Sequence, residues 1–118
     1  MQPTAMQPLE LVKAIAEILD SKKAIDITAI HTTEQTIITD YFLICSGTST
    51  THVKALAEEL EFEMKKRHGI LPKGVEGRAS GWILLDYGTV LVHVFMKEQR
   101  EYYNLERLWE DSARVDVL

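Results

Sequence analysis

Ser46, Gly47, Thr48, Ser49 and Thr50 follow the apolar run Tyr41–Cys45 and precede a stretch with helical spacing. That placement has the form of an anion site, because a glycine lets the backbone approach a ligand and a helix N-terminus points free N–H groups at it. The segment lacks the lysine of a Walker loop and the three glycines of a dinucleotide fingerprint, so a turn with a helix cap explains it more simply. A nucleotidyltransferase also sets Gly-Ser before a helix, but it holds magnesium with clustered carboxylates on an adjacent strand. Asp86 stands alone in its strand, and Asp26 and Asp40 have no D-x-D spacing. A nucleotidyltransferase or other phosphate-binding enzyme using Ser46, Gly47, Ser49 and Asp86 is the alternative these residues leave open.

Other chemistry needs companions that the sequence does not place nearby. His31, His52, His68 and His93 have no HxxxH or CxxC partner, so a zinc site would have to be assembled from distant segments. Neither a metal nor a cofactor is expected. Ser46 or Ser49 with His93 lacks the G-x-S-x-G elbow of a hydrolase. Cys45 is the single cysteine, which rules out an internal disulfide, and beside Phe42, Leu43 and Ile44 it reads as a buried strand thiol. The chain reads as a non-enzyme.

The remaining polar and aromatic candidates lie in a hairpin, where the apolar runs Trp82–Tyr87 and Val90–Phe95 meet at Gly88. Alternation along a strand sets Trp82, Leu84 and Asp86 on one face and Ile83, Leu85 and Tyr87 on the other. His93 shares a face with Leu91 and Phe95, which makes it a structural or interface imidazole rather than a base. Both faces are apolar. One is expected under helices, and the other against more helices or a partner protein, since a large open apolar patch is uncommon on a monomer. Trp82, Tyr102, Tyr103 and Trp109 also gather in the last third of the chain. These residue types anchor interfaces and serve equally well as core fillers.

The elements that must position these residues follow from periodicity. Leu11, Val12, Ile15, Ile18 and Leu19 recur at spacings of three and four, predicting an amphipathic helix after a flexible lead-in over 1–8. Residues 25–30 alternate and 41–46 are continuously apolar, predicting two strands. Between them, residues 31–40 are polar apart from Ile37 and Ile38, and no element is assigned. Ser49 or Thr50 caps a helix with the stripe Val53, Leu56, Ala57, Leu60 and Met64, which Gly69 stops. A short strand falls around Val75, and after the hairpin Tyr102, Leu105, Leu108 and Trp109 predict one last helix over 98–112. Helix, strand, strand, helix, three strands and helix make an α/β domain, a mixed β-sheet covered by helices. The domain is read as 9–112, with 113–118 as a C-terminal tail.

A chain of 118 residues, 46% hydrophobic and 26% charged, fits one such domain. Its apolar runs fall far short of the roughly 20 residues that span a bilayer, and no secretion signal opens it. A cytoplasmic protein with no membrane contact is expected. The net charge of −5 repels phosphate backbones, so a basic protein surface is a better partner than sequence-specific nucleic acid. Lys65, Lys66 and Arg67 close a predicted helix, where cations complement the helix dipole.

Residues 41–60 and 82–109 together resemble the ribosomal silencing factor family (Iojap-like, RsfS), and the likeness extends from about Leu9 to Trp109. It rests on a strand ending in SGTS before a helix, VEG at 75–77, WILLDYG followed by VHVF, and YNLERLW, in that order. Thr89 departs from the acidic residue common after the hairpin glycine, and His52 stands where other polar residues are usual. The resemblance implies a nucleotidyltransferase-like fold without known transfer activity. It also implies binding to the large ribosomal subunit through ribosomal protein number fourteen, beside the surface that the small subunit must approach. Such binding blocks subunit joining and represses translation when nutrients are short, as in stationary phase. On this reading the hairpin is the partner face: Trp82 an apolar anchor, Asp86 an acceptor, Leu84, Tyr87 and His93 beside them, and Tyr102, Tyr103 and Leu105 supplied by the final helix. A free homodimer covering that face is expected to open before binding.

Overall fold

The computed structural model describes residues 6–32, 39–77, 81–108 and 113–118. Its elements in chain order are α1 (Pro8–Ser21), β1 (Ile25–His31), β2 (Tyr41–Gly47), α2 (Thr50–His68), β3 (Gly74–Glu76), β4 (Trp82–Asp86), β5 (Val90–Met96), α3 (Lys97–Tyr103), α4 (Leu105–Leu108) and β6 (Ala113–Val115). The strands form one six-stranded sheet in the order β3-β4-β5-β2-β1-β6. Among the described residues only β2 and β5 run parallel, from Tyr41 opposite Val90 to Gly47 opposite Met96. Every other pairing is antiparallel. The expected α/β class with a mixed sheet is the observed one. No helix among the described residues is long and apolar enough to cross a membrane.

The two long helices close one face of this sheet. Leu11, Val12, Ile15, Ile18 and Leu19 of α1, with Val53, Leu56, Leu60 and Met64 of α2, are buried with Leu43, Cys45, Ile83, Leu85, Val92 and Val94. The spacings that predicted the helices therefore also predicted their buried stripes. Local chemistry sets the ends of α2. The Ser49 side chain accepts the His52 N–H at its start, and Gly69 ends it in a left-handed conformation, φ 67°, where a side chain would be strained. Arg67 pairs with Glu63 one turn earlier at 2.9 Å. Burial pushes the Cys45 thiol up to about 12, which leaves it protonated and unreactive.

Two parts of the sequence reading are corrected. The final helix is broken: Asn104, at φ 45°, separates α3 from α4, and Trp109 lies outside the described residues. Residues 113–118, expected as a tail, contribute β6, which adds an edge to the sheet through Ala29–Val115, Ile30–Arg114 and His31–Ala113 pairings. Residues 1–5 of the lead-in and the unassigned stretch 33–38 also lie outside the described residues.

Candidate functional site

The sheet face turned away from α1 and α2 is less completely covered. Its centre is a small cluster of Ile30, Ile44 and Phe95, with Phe42, Trp82 and Leu105 packed against it. On this face Trp82, Leu84 and Asp86 of β4, Leu91 of β5 and Phe42 of β2 are only partly buried. Trp82 lies at the junction. Its ring stacks on Phe95 at 4.9 Å between centroids, meets Tyr103 at 4.7 Å, and its Nε1–H donates to Nδ1 of His93 at 3.1 Å. A groove of about 260 Å³ lined by Glu76, Gly77, Trp82 and Leu84 continues the face to the edge strand β3.

Of the residues singled out in the sequence, the fold brings together Trp82, Leu84, Asp86 and His93 on this side of the sheet. Asp86 has a local partner: its Oδ1 accepts the Gly88 N–H at 2.8 Å and shapes the hairpin turn. His93 lies beneath the surface at 5% exposure, in contact with Phe42 and Trp82. Burial lowers its pKa to about 4. Tyr102 is 82% exposed and Tyr103 48%, the two rings meeting edge to face. Tyr87 is not part of this group. It is 7% exposed and belongs to the helix-covered core, because the residue after Asp86 must point to the opposite side of the sheet.

Sequence reasoning set Leu91 on the same strand face as His93 without counting it in the partner face, missed Phe42 there, and missed Arg100 as the residue that fixes its border. Arg100 donates to both Glu106 carboxylate oxygens at 3.0 and 3.2 Å, to Ser46 Oγ at 3.0 Å and to Thr28 Oγ1 at 3.2 Å. One guanidinium thus ties α3 to α4, β2 and β1, and holds the Glu106 carboxyl below its ordinary range, chiefly through the hydrogen bond. In an unbroken helix, residues six apart would project to different sides, so this pair forms only because Asn104 breaks the helix.

The Ser46–Thr50 turn is closed by its own side chains. Thr48 N–H donates to His52 Nδ1 at 2.9 Å, His52 N–H donates to Ser49 Oγ at 3.0 Å, and His52 Nε2 reaches the Lys22 carbonyl at 3.2 Å. His52 therefore occupies a donor that an anion would use. Gly47 serves close packing: a Cβ there would meet Val53 Cγ2 at 2.9 Å and Val53 N at 3.0 Å. Nor is Asp86 near this turn. Ser46 pairs level with Phe95 and Asp86 level with Leu91, four residues or about 13 Å apart along the strands. The fold does not assemble the constellation required by the phosphate-binding alternative.

A family model described as "Ribosomal silencing factor during starvation" matches residues 5–118, a span that includes β6. Two bacterial proteins named ribosomal silencing factor RsfS, from Halalkalibacterium halodurans and Bacillus subtilis, are each 41% identical over 113 residues. They cover 95% of this chain and 96% and 95% of their own lengths. A mouse protein named mitochondrial assembly of ribosomal large subunit protein 1 is 34% identical over 91% of this chain and 48% of its own. Among solved structures, a Chromobacterium violaceum protein superposes with a TM-score of 0.85 at 35% identity, covering 89% of this chain and 88% of that one. A Bacillus halodurans protein gives 0.77 at 40% identity, covering 91% and 97%.

Proposed function

Because the chain belongs to the ribosomal silencing factor family, we propose that it represses translation by binding the large ribosomal subunit. In this reading the half-exposed sheet face docks on ribosomal protein number fourteen and keeps the small subunit from joining when nutrients are short. The observation that carries it is the asymmetry of the sheet. One face is closed by α1 and α2, while the apolar side chains of Trp82, Leu84, Leu91 and Phe42 stay partly exposed on the other, beside the acidic side chains of Glu76 and Asp86. An apolar centre with a polar rim is the usual anatomy of a protein interface. The net charge of −5 favours encounter with a basic ribosomal protein. Trp82 and Leu84 are the anchors, with Asp86, Tyr102, Tyr103 and Leu105 around them and His93 beneath. The activity is assigned to one domain, residues 9–112 extended by the β6 pairing.

Binding rather than catalysis is supported by the turn at Ser46–Thr50, where the Thr48 N–H is engaged by His52, and by its separation from Asp86. Co-sedimentation with separated ribosomal subunits tests the reading: the chain pellets with the large subunit and not with the small one. Leu84→Glu, which sets a charge on the half-exposed face, abolishes pelleting while the far-UV circular dichroism stays that of the parent. Equal pelleting with both subunits, or with neither, contradicts the proposal.

A further inference from the structure

The hydrogen bond between Trp82 and His93 fixes more than the position of two rings. An indole N–H can only donate, so His93 Nδ1 must present its lone pair, and the neutral imidazole must carry its proton on Nε2. That Nε2 is buried with no hydrogen-bond partner among the described residues. The imidazole ring lies among the rings of Phe42, Trp82 and Phe95, at 5.0, 5.9 and 6.1 Å between centroids. A buried N–H without an acceptor destabilises the fold, and an apolar side chain of similar size would remove it while leaving the indole N–H to solvent. Its strand neighbours Val92, Val94 and Phe95 are all apolar and buried. Packing alone therefore does not account for an imidazole here. What it supplies that a phenyl ring cannot is an acceptor for the indole proton.

We infer that His93 is a positioning residue for subunit binding: it holds the Trp82 indole in one orientation before the partner arrives. The inference rests on the partner face proposed above. Trp82 is partly exposed, and its ring also meets Phe95 and Tyr103. The hydrogen bond selects which edge of the indole faces His93. An anchor ordered in advance loses less freedom on docking, which strengthens binding without adding a contact to the partner.

Two substitutions separate this role from a structural one. His93→Phe removes the acceptor and the unpartnered N–H together. His93→Asn keeps an acceptor near the position of Nδ1 but leaves a void. The phenylalanine variant is expected to melt at or above the parent temperature and to bind the large subunit about three- to tenfold more weakly. The asparagine variant is expected to melt lower and bind more tightly than the phenylalanine variant. Binding and stability thus rank the two variants in opposite orders, whereas a structural role moves them together. An independent readout on the free protein is solvent exchange of the Trp82 indole N–H, followed by nitrogen-15 NMR and assigned by its loss in Trp82→Phe. Exchange is slow in the parent and the asparagine variant and fast in the phenylalanine variant.

Parent-like binding by His93→Phe, with Leu84→Glu still defective, overturns the inference and leaves the partner face standing. Failure of the phenylalanine variant to fold overturns it too, because the imidazole would then be required for stability. Normal pelleting of Leu84→Glu removes the partner face and this role in binding with it, while the indole exchange rates still report whether His93 orders Trp82.

Discussion

Trp82→Ala is expected to weaken large-subunit binding about thirtyfold, roughly 2 kcal/mol, as for an interface anchor. Because the side chain is only half-buried, the same change should lower folding stability by about 1–2 kcal/mol, less than the roughly 3–5 typical of a core aromatic. Subunit pelleting and thermal melts on one preparation distinguish the two contributions. His93 makes a second prediction at this scale. Its pKa of about 4 lies below the ordinary 6.5 through loss of solvation, so the unfolded chain binds the proton more readily. Its neutral form thus contributes stability that is full above about pH 6.5 and is lost progressively as the pH falls towards 4, on the order of 3 kcal/mol at most. Glu106 acts lower. Its carboxyl is held below the ordinary 4.5, so its contribution begins to fall only near and below that pH. Urea unfolding at intervals between pH 7 and 4.5 should show a slope that His93→Phe flattens. A parent curve already flat over that range contradicts the assignment.

At the scale of elements, the break between α3 and α4 determines how the border of the face is built. Asn104 occupies the left-handed region, which Gly accepts freely and Ala does not. Asn104→Ala should therefore cost about 1 kcal/mol or more, and Asn104→Gly should be nearly neutral. Equal melting temperatures for the two variants would show that the break is not conformationally demanding. Arg100→Ala removes charge-assisted bonds to Glu106 together with those to Ser46 and Thr28, and a loss of about 2 kcal/mol is expected. Since α3 also carries Tyr103 against Trp82, this variant should bind the subunit more weakly although Arg100 itself lies away from the half-exposed surface.

For the whole molecule, charge and shape make separable predictions. An acidic chain meeting a basic partner associates faster at low salt, so raising ionic strength should slow association more than it speeds dissociation. Salt-independent association would remove electrostatic steering from the account. Self-association of the free chain through the half-exposed face predicts sedimentation velocity that depends on concentration in the parent and not in Leu84→Glu. A strict monomer up to about tens of micromolar excludes it.

The local rules of the chain were readable without coordinates. Spacings of three and four identified both long helices and their buried stripes, Ser49 and Gly69 marked the ends of α2, and period two separated Trp82, Leu84 and Asp86 from Ile83, Leu85 and Tyr87. The order and spacing of the motifs also identified the family. These features depend on neighbours a few residues apart, and sequence records such neighbours directly. Tertiary structure decided which sheet face the helices cover. Each strand of the hairpin is apolar on both sides, so alternation alone could pair the residues but not orient them. It also decided the roles of residues whose partners are distant in the chain: Arg100 reaching Ser46 and Thr28, His52 closing the turn onto Lys22, and Ala113–Val115 pairing with β1. Phe42 joins Leu91 and Trp82 only because β2 lies parallel to β5. No local spacing encodes that register, because it is set by the burial of α1 and α2 against the opposite side of the sheet.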